Sequence, residues 1–98
     1  MGLEEIVLAT KNELDITCDD QEIASKIQGI VKRGITYLNE IAGVEMQFTE
    51  ESIERGLLYN YARYALEGME NEFELNYRSN LVRLRLTKEA EKIATQEI

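Results

Sequence analysis

The stretch from Glu22 to Gly43, EIASKIQGIVKRGITYLNEIAG, decides the fold. At about 100° per residue, Ile23, Ile27, Ile30, Gly34, Leu38 and Ile41 fall within one narrow arc. Ser25, Lys26, Lys32, Arg33, Asn39 and Glu40 lie off that arc. A stripe of this kind predicts an amphipathic helix with one face on a core. Asp19, followed three residues later by Glu22, gives the helix a start resembling a capping box. Gly43 supplies the left-handed stop, so the helix runs to about Ala42.

Downstream, Val44, Met46 and Phe48 alternate with Glu45 and Gln47, which predicts an extended segment with one apolar edge on the core. Thr49 can cap the next helix, with Glu50, Glu51 and Glu54 near its positive end. That third helix contains Leu58-Tyr59-Asn60-Tyr61-Ala62-Arg63-Tyr64-Ala65 and is apolar around most of its circumference, so it is expected to be buried. Ile53, Leu57, Tyr61 and Tyr64 share a face that Leu58 and Ala65 broaden, while Tyr59 and Leu66 point nearly the opposite way. Gly68 ends it. Upstream, a first helix from Leu3 to Asn12 turns Leu3, Ile6 and Val7 inward, and Leu14 to Thr17 leave it as a short extended link.

The fourth helix is expected to start at Asn71 with Glu74. It carries two stripes. Phe73, Tyr77, Leu81 and Leu84 make one; Leu75, Val82 and Leu86 make a second on the opposite side, which Ile93 continues. One stripe covers the domain's own core, whereas a peripheral helix of a small monomer has no use for the other. Val82 to Leu86 also alternates with period two, as a strand would, but the spacing from Asn71 onward favours helix. The sequence thus reads as one all-α domain over 1–98, a bundle of about four helices with a short extended segment between the second and third. The polar tail from Thr87 to Ile98 reads as helical or loosely held.

Composition narrows the function. The 98 residues include no proline, which suits a helical chain. The net charge of −8 argues against a general nucleic-acid binder and against an anionic membrane surface. No run approaches a membrane span, and the N-terminus lacks the basic and apolar regions of a signal peptide. Cys18 is the single cysteine, which excludes an intramolecular disulfide and suits a reduced, cytosolic origin.

Catalytic and ligand signatures are missing. Asp15, Asp19 and Asp20 lack the alternating oxygen ligands, central glycine and terminal glutamate of a calcium loop. Without histidine or paired cysteines, there is little to hold a transition metal or to activate Cys18 as a nucleophile. Glu67, Glu70, Glu72 and Glu74 crowd a helix start, where acids serve as dipole partners. The glycines are scattered and form no phosphate loop. No catalytic residue, cofactor or metal is therefore expected. The five tyrosines suit core and interface packing better than base stacking, because stacking platforms sit in positive grooves. A helix-turn-helix reader would need more cations than Arg55 and Arg63 on its third helix.

Candidate interface residues follow from this. Leu75, Val82 and Leu86 form the spare stripe; Tyr59 and Leu66 are the outward residues of the third helix. Gly29 lies with Ser25 and Thr36 on a strip of small residues that reads equally as a docking track or a solvated face. Arg83 and Arg85, with Arg78, offer cations to a protein whose other surfaces are acidic.

Several stretches carry a family resemblance. They are Asn12-Glu13-Leu14-Asp15-Ile16-Thr17 before an acidic cap, Tyr37-Leu38-Asn39-Glu40-Ile41-Ala42-Gly43 closing a helix, and Phe48 before an acidic helix start. Tyr61-Ala62-Arg63-Tyr64 and Asn80-Leu81-Val82-Arg83-Leu84-Arg85-Leu86 complete the set. From about Leu8 to Leu86 the chain resembles the small α-helical head–tail connector (adaptor, head-completion) proteins of tailed bacteriophages and prophages. That resemblance implies a structural subunit of a homo-oligomeric ring, usually twelvefold, in the virion beneath the portal protein, made in the host bacterial cytoplasm. Such a ring extends the DNA channel and receives the stopper or tail-completion protein. DNA passes through without specific binding, and an acidic lumen would let it slide. The tail after Leu86 is shorter than in longer adaptors, so the resemblance does not carry portal docking through a C-terminal extension. The competing expectation is a small acidic helical regulatory or protein-interaction module acting as monomer or dimer.

Overall fold

A computed structural model of the chain describes residues 2–16 and 20–96, and these form five helices with no strand among them. The helices are α1 (Leu3–Glu13), α2 (Gln21–Ala42), α3 (Ile53–Leu66), α4 (Glu70–Asn76) and α5 (Arg78–Gln96). Helix α2 is central: α1, α3 and α5 all pack on it, and α4 joins α3 to α5. The expected four helices become five because the last one is interrupted at Tyr77. Tyr77 N donates to Phe73 O and Leu81 N to Tyr77 O, both at 2.9 Å, so Tyr77 closes α4 and opens α5. Val82 to Leu86 is helical, which removes the strand reading.

Local chemistry sets each boundary, often a residue or more from the expected one. Asp20 caps α2, its Oδ1 accepting from Glu22 N at 2.8 Å; Asp19, the expected cap, lies outside the described residues with Thr17 and Cys18. Leu14 and Asp15 close α1 instead of leaving it as an extended link. Asp15 turns left-handed (φ 56), and Ile16 N reaches back to Lys11 O at 2.9 Å, a Schellman closure. Gly43 ends α2 as expected, at φ 76 with its N–H on Asn39 O. Ser52, and not Thr49, caps α3: its Oγ accepts from Arg55 N and donates to Thr49 O, so the chain makes one turn before the helix begins. Helix α4 begins at Glu70, directly after the left-handed Gly68, and needs no side-chain cap from Asn71.

The segment between α2 and α3 forms no strand, but it lays the expected apolar edge on the core: Val44 and Met46 pack against it while Glu45 and Gln47 are exposed. Phe48 is buried as the alternation required, yet it takes a left-handed backbone (φ 52). Arg55 explains how it is held. This side chain is 1% exposed, donates through Nε to Phe48 O at 2.8 Å and through Nη1 to Tyr59 Oη at 2.8 Å. A charge-assisted bond to a buried carbonyl fixes the loop at the cost of desolvating a guanidinium. Phe48 is buried, whereas Ile53, the first residue of α3, is exposed and not on the core face expected for it.

The core draws on all five helices. Ile27, Ile30, Val31, Gly34 and Leu38 of α2 are buried against Leu57, Leu58, Tyr61 and Ala62 of α3, with Ile23 and Ile41 at the margins. Five aromatic rings close one end of it. Phe73 lies against Tyr37, Tyr61, Tyr64 and Tyr77 with centroids 4.8 to 6.4 Å apart, mostly edge to face. Gly34 permits the closest approach: a Cβ there would fall 2.6 Å from Leu58 Cδ1 and 2.9 Å from Tyr61 Cδ2.

Gly34→Ala is expected to lower stability by about 1–3 kcal/mol, because packed side chains would have to move. Gly56→Ala, on an open helical surface, should raise it by about 0.5–1 kcal/mol. Chemical denaturation of both variants checks the contrast, and a neutral Gly34→Ala would mean that α2 and α3 are not in close contact. Arg55→Ala should cost about 2–4 kcal/mol by stranding the Phe48 carbonyl, against about 1 kcal/mol for Tyr59→Phe.

Candidate protein interface

Helices α4 and α5 divide their apolar residues between two sides. Phe73, Leu81 and Leu84 are buried and Tyr77 is half-buried, so this stripe belongs to the core as expected. The opposite stripe is open: Leu75 is 65% exposed, Val82 52%, Leu86 59% and Ile93 56%. These four recur at seven-, four- and seven-residue steps and hold to an arc of roughly 40° at about 100° per residue. Together they make a seam one helix wide. Arg83 and Arg85 are exposed beside it, and so is Arg78.

Of the remaining expected interface residues, Tyr59 and Leu66 are engaged within the domain. Tyr59 is half-buried and its hydroxyl accepts from Arg55, whose guanidinium carbon sits 5.8 Å from the ring centroid. Leu66 is half-buried and packs on the core, so neither residue stands out from α3 as expected. Gly29 is half-buried, with Arg33 Nη1 3.4 Å from where a Cβ would stand, while Ser25 and Thr36 are exposed. The structure therefore places Val82, Leu86, Arg83 and Arg85 on α5 and Leu75 on the adjoining α4, and leaves Tyr59 and Leu66 on α3 and Gly29 on α2.

Sequence reasoning overlooked the buried charge of α3. Arg55, Leu58, Ala62 and Ala65 follow core spacing, as do Glu54, Leu58, Tyr61 and Ala65, so both apolar rows lead back into Glu54 and Arg55. Glu54 is buried and lies 3.6 Å from Lys88 Nζ, which also approaches Glu91 at 3.5 Å. This ion pair ties α5 to α3 behind the seam.

A cleft of about 520 Å³ separates the C-terminal half of α2 from α4 and α5. Tyr37 and Glu40 of α2 line it with Glu74 of α4 and Arg78, Arg85 and Lys88 of α5. The Tyr37 hydroxyl is buried without a hydrogen-bond partner, and burial raises its pKa, with Glu74 and Tyr61 adding to the effect. Mixed charge and one orphaned hydroxyl specify no ligand. Among the described residues there is no cluster of three metal-ligating side chains, and no helix is long and apolar enough to cross a membrane.

Comparison with known proteins adds no relative: no family model, no curated protein and no solved structure matches this chain.

A phenol whose folded pKa exceeds its unfolded value of 10.0 stabilises the fold below that pH and loses its contribution as pH rises through the folded pKa. Stability measured by denaturation should thus fall above pH 10, and Tyr37→Phe should flatten that fall. At neutral pH the same variant should be unchanged or more stable by up to about 1 kcal/mol, since an unpartnered hydroxyl is removed. A loss of more than that would show that the hydroxyl is bonded.

Proposed function

We propose that this chain is the subunit of a homo-oligomeric connector ring at the head–tail junction of a tailed phage or prophage. In this reading it sits beneath the portal protein, extends the DNA channel and presents a surface to the stopper or tail-completion protein. The observation that carries it is the seam of Leu75, Val82, Leu86 and Ile93, exposed on a helical unit whose other stripe is already in the core. A domain of this size gains nothing from a row of four exposed aliphatic residues unless another protein covers it. The resemblance of sequence texture from about Leu8 to Leu86 names the class of assembly. The role is assembly and passive conduction, and the net charge of −8 suits a wall along which phosphate slides without adhering.

Light scattering after size exclusion across a concentration series, followed by negative-stain microscopy, tests the reading. A closed ring of about twelve copies is expected, alone or on addition of a portal protein. A stable dimer that ignores portal would replace it with the regulatory module. Leu75→Glu with Val82→Glu should leave the helical circular dichroism intact and weaken association by about tenfold or more. Loss of helicity would place the stripe in the core.

A further inference from the structure

The seam is built to refuse itself. Reading Leu75 and Val82 as d positions and Leu86 and Ile93 as a positions of a heptad places Arg78, Arg85 and Lys92 at g and Arg83 at e. Pairing two copies of α4 and α5 antiparallel would set Leu75 on Ile93 and Val82 on Leu86, with Ser79 at a facing Glu89 at d between them. The same pairing sets Arg85 on Arg85, Arg83 on Arg83 and Arg78 on Lys92. Parallel pairing brings Arg78 against Arg83. No acid occupies an e or g position to relieve either arrangement. Like charges along both flanks exclude the two-fold partner that the apolar residues alone would accept.

Charge is also segregated along the chain. Helix α5 holds five of the eleven basic residues and two of the nineteen acidic ones, so it is net +3 and the rest of the chain is −11. Every copy thus carries the complement of its own seam. Among the described residues, two exposed apolar side chains sit among acids away from α5. Met69, 41% exposed near Glu67 and Glu72, leads into α4, which carries the seam's own Leu75. On α1, a helix separate from the seam, Leu8 is 58% exposed beside exposed Glu4 and Glu5. Val7, Leu8 and Ala24 line a shallow groove of about 280 Å³ there, with Glu4 and the half-buried Lys11 on its rim. The other exposed aliphatic among acids, Ile53, shares a cleft with α5 itself, where Lys88 already lies against Glu54.

We propose that the α5 seam of one copy docks on the acidic α1 face of a second copy, a head-to-tail contact that repeats around an assembly and never closes as a two-fold. The proposal rests on the ring-subunit reading and specifies its contact. Apolar area supplies the adhesion, and the Arg78, Arg85 and Lys92 row meeting Glu4 and Glu5 sets the polarity.

Charge exchange tests it. The first variant is Arg78→Glu/Arg85→Glu/Lys92→Glu and the second Glu4→Lys/Glu5→Lys, with Glu4→Gln/Glu5→Gln should the second lose helicity. Association is measured by sedimentation equilibrium in low and high salt. Each variant alone should associate at least about tenfold more weakly than wild type, and the two mixed, or combined in one chain, should recover. Wild-type association should weaken as salt rises. A second variant indistinguishable from wild type, or a combination that does not recover, overturns the α1 assignment. A first variant that forms a tighter dimer overturns the head-to-tail geometry. So does retention of wild type, but not of the first variant, on a 30-bp duplex DNA in place of self-association. A wild type that stays monomeric yet binds a portal protein overturns the contact and leaves the ring-subunit reading standing. Open chains or small oligomers with intact exchange keep the contact and overturn the ring.

Discussion

Helix α2 can carry α1, α3 and α5 at once because Gly34 lets α3 lie directly against its backbone. With no side chain at that point, Leu58 and Tyr61 drop into the space a methyl group would need. Everything else follows from how close those two helices come. Tyr61 is set at the right depth to stack on Tyr37 and meet Phe73 edge-on, and Phe73 in turn positions Tyr64 and Tyr77. The aromatic cluster therefore fixes where α4 leaves α3 and, through Tyr77, where α5 begins. A glycine costs helix propensity in the middle of α2, and the packing it admits more than offsets that cost.

The second organising element is polar. Arg55 reaches from the first turn of α3 to the Phe48 carbonyl and the Tyr59 hydroxyl, so one side chain holds a loop residue with a left-handed backbone and the ring of the next turn. Its neighbour Glu54 meets Lys88 from α5. Adjacent buried charges of opposite sign on one helix thus face in two directions, one toward the loop and one toward the last helix. Hydrophobic residues in these places would pack, but they would not choose between alternative loop and helix positions.

Much of this was legible in the chain itself. The stripe from Ile23 to Ile41, the stop at Gly43, the buried character of α3 and the two-sided pattern of the last helix all follow from spacing. What spacing could not supply was anything decided by a neighbour in space. Thr49 and Ser52 are both competent caps, and only the turn through Glu50 and Glu51 selects the later one. Ile53 has the periodicity of a core residue, but at the first position of α3 it stands exposed while Leu57, one turn on, is buried. Tyr59 and Leu66 look outward from an isolated helix, whereas Arg55 claims the one and the domain core the other. The seam of α5 was readable because exposure there depends on the opposite stripe being occupied, and both stripes lie in one short stretch.

The last part of α5 has a kinetic consequence. Every described side chain from Glu89 to Ala94 is exposed, so this end of the helix puts no side chain into the core, while Glu89, Glu91 and Lys92 line the clefts against α2 and α3. Those residues continue for about 9 Å at 1.5 Å per residue, and helical segments that short are marginal in water. This end accordingly winds and unwinds far more often than the body opens. In the proposed head-to-tail contact a fraying tip would carry Ile93 as the first point of attachment, and rewinding would then draw the captured surface inward toward the rigid part.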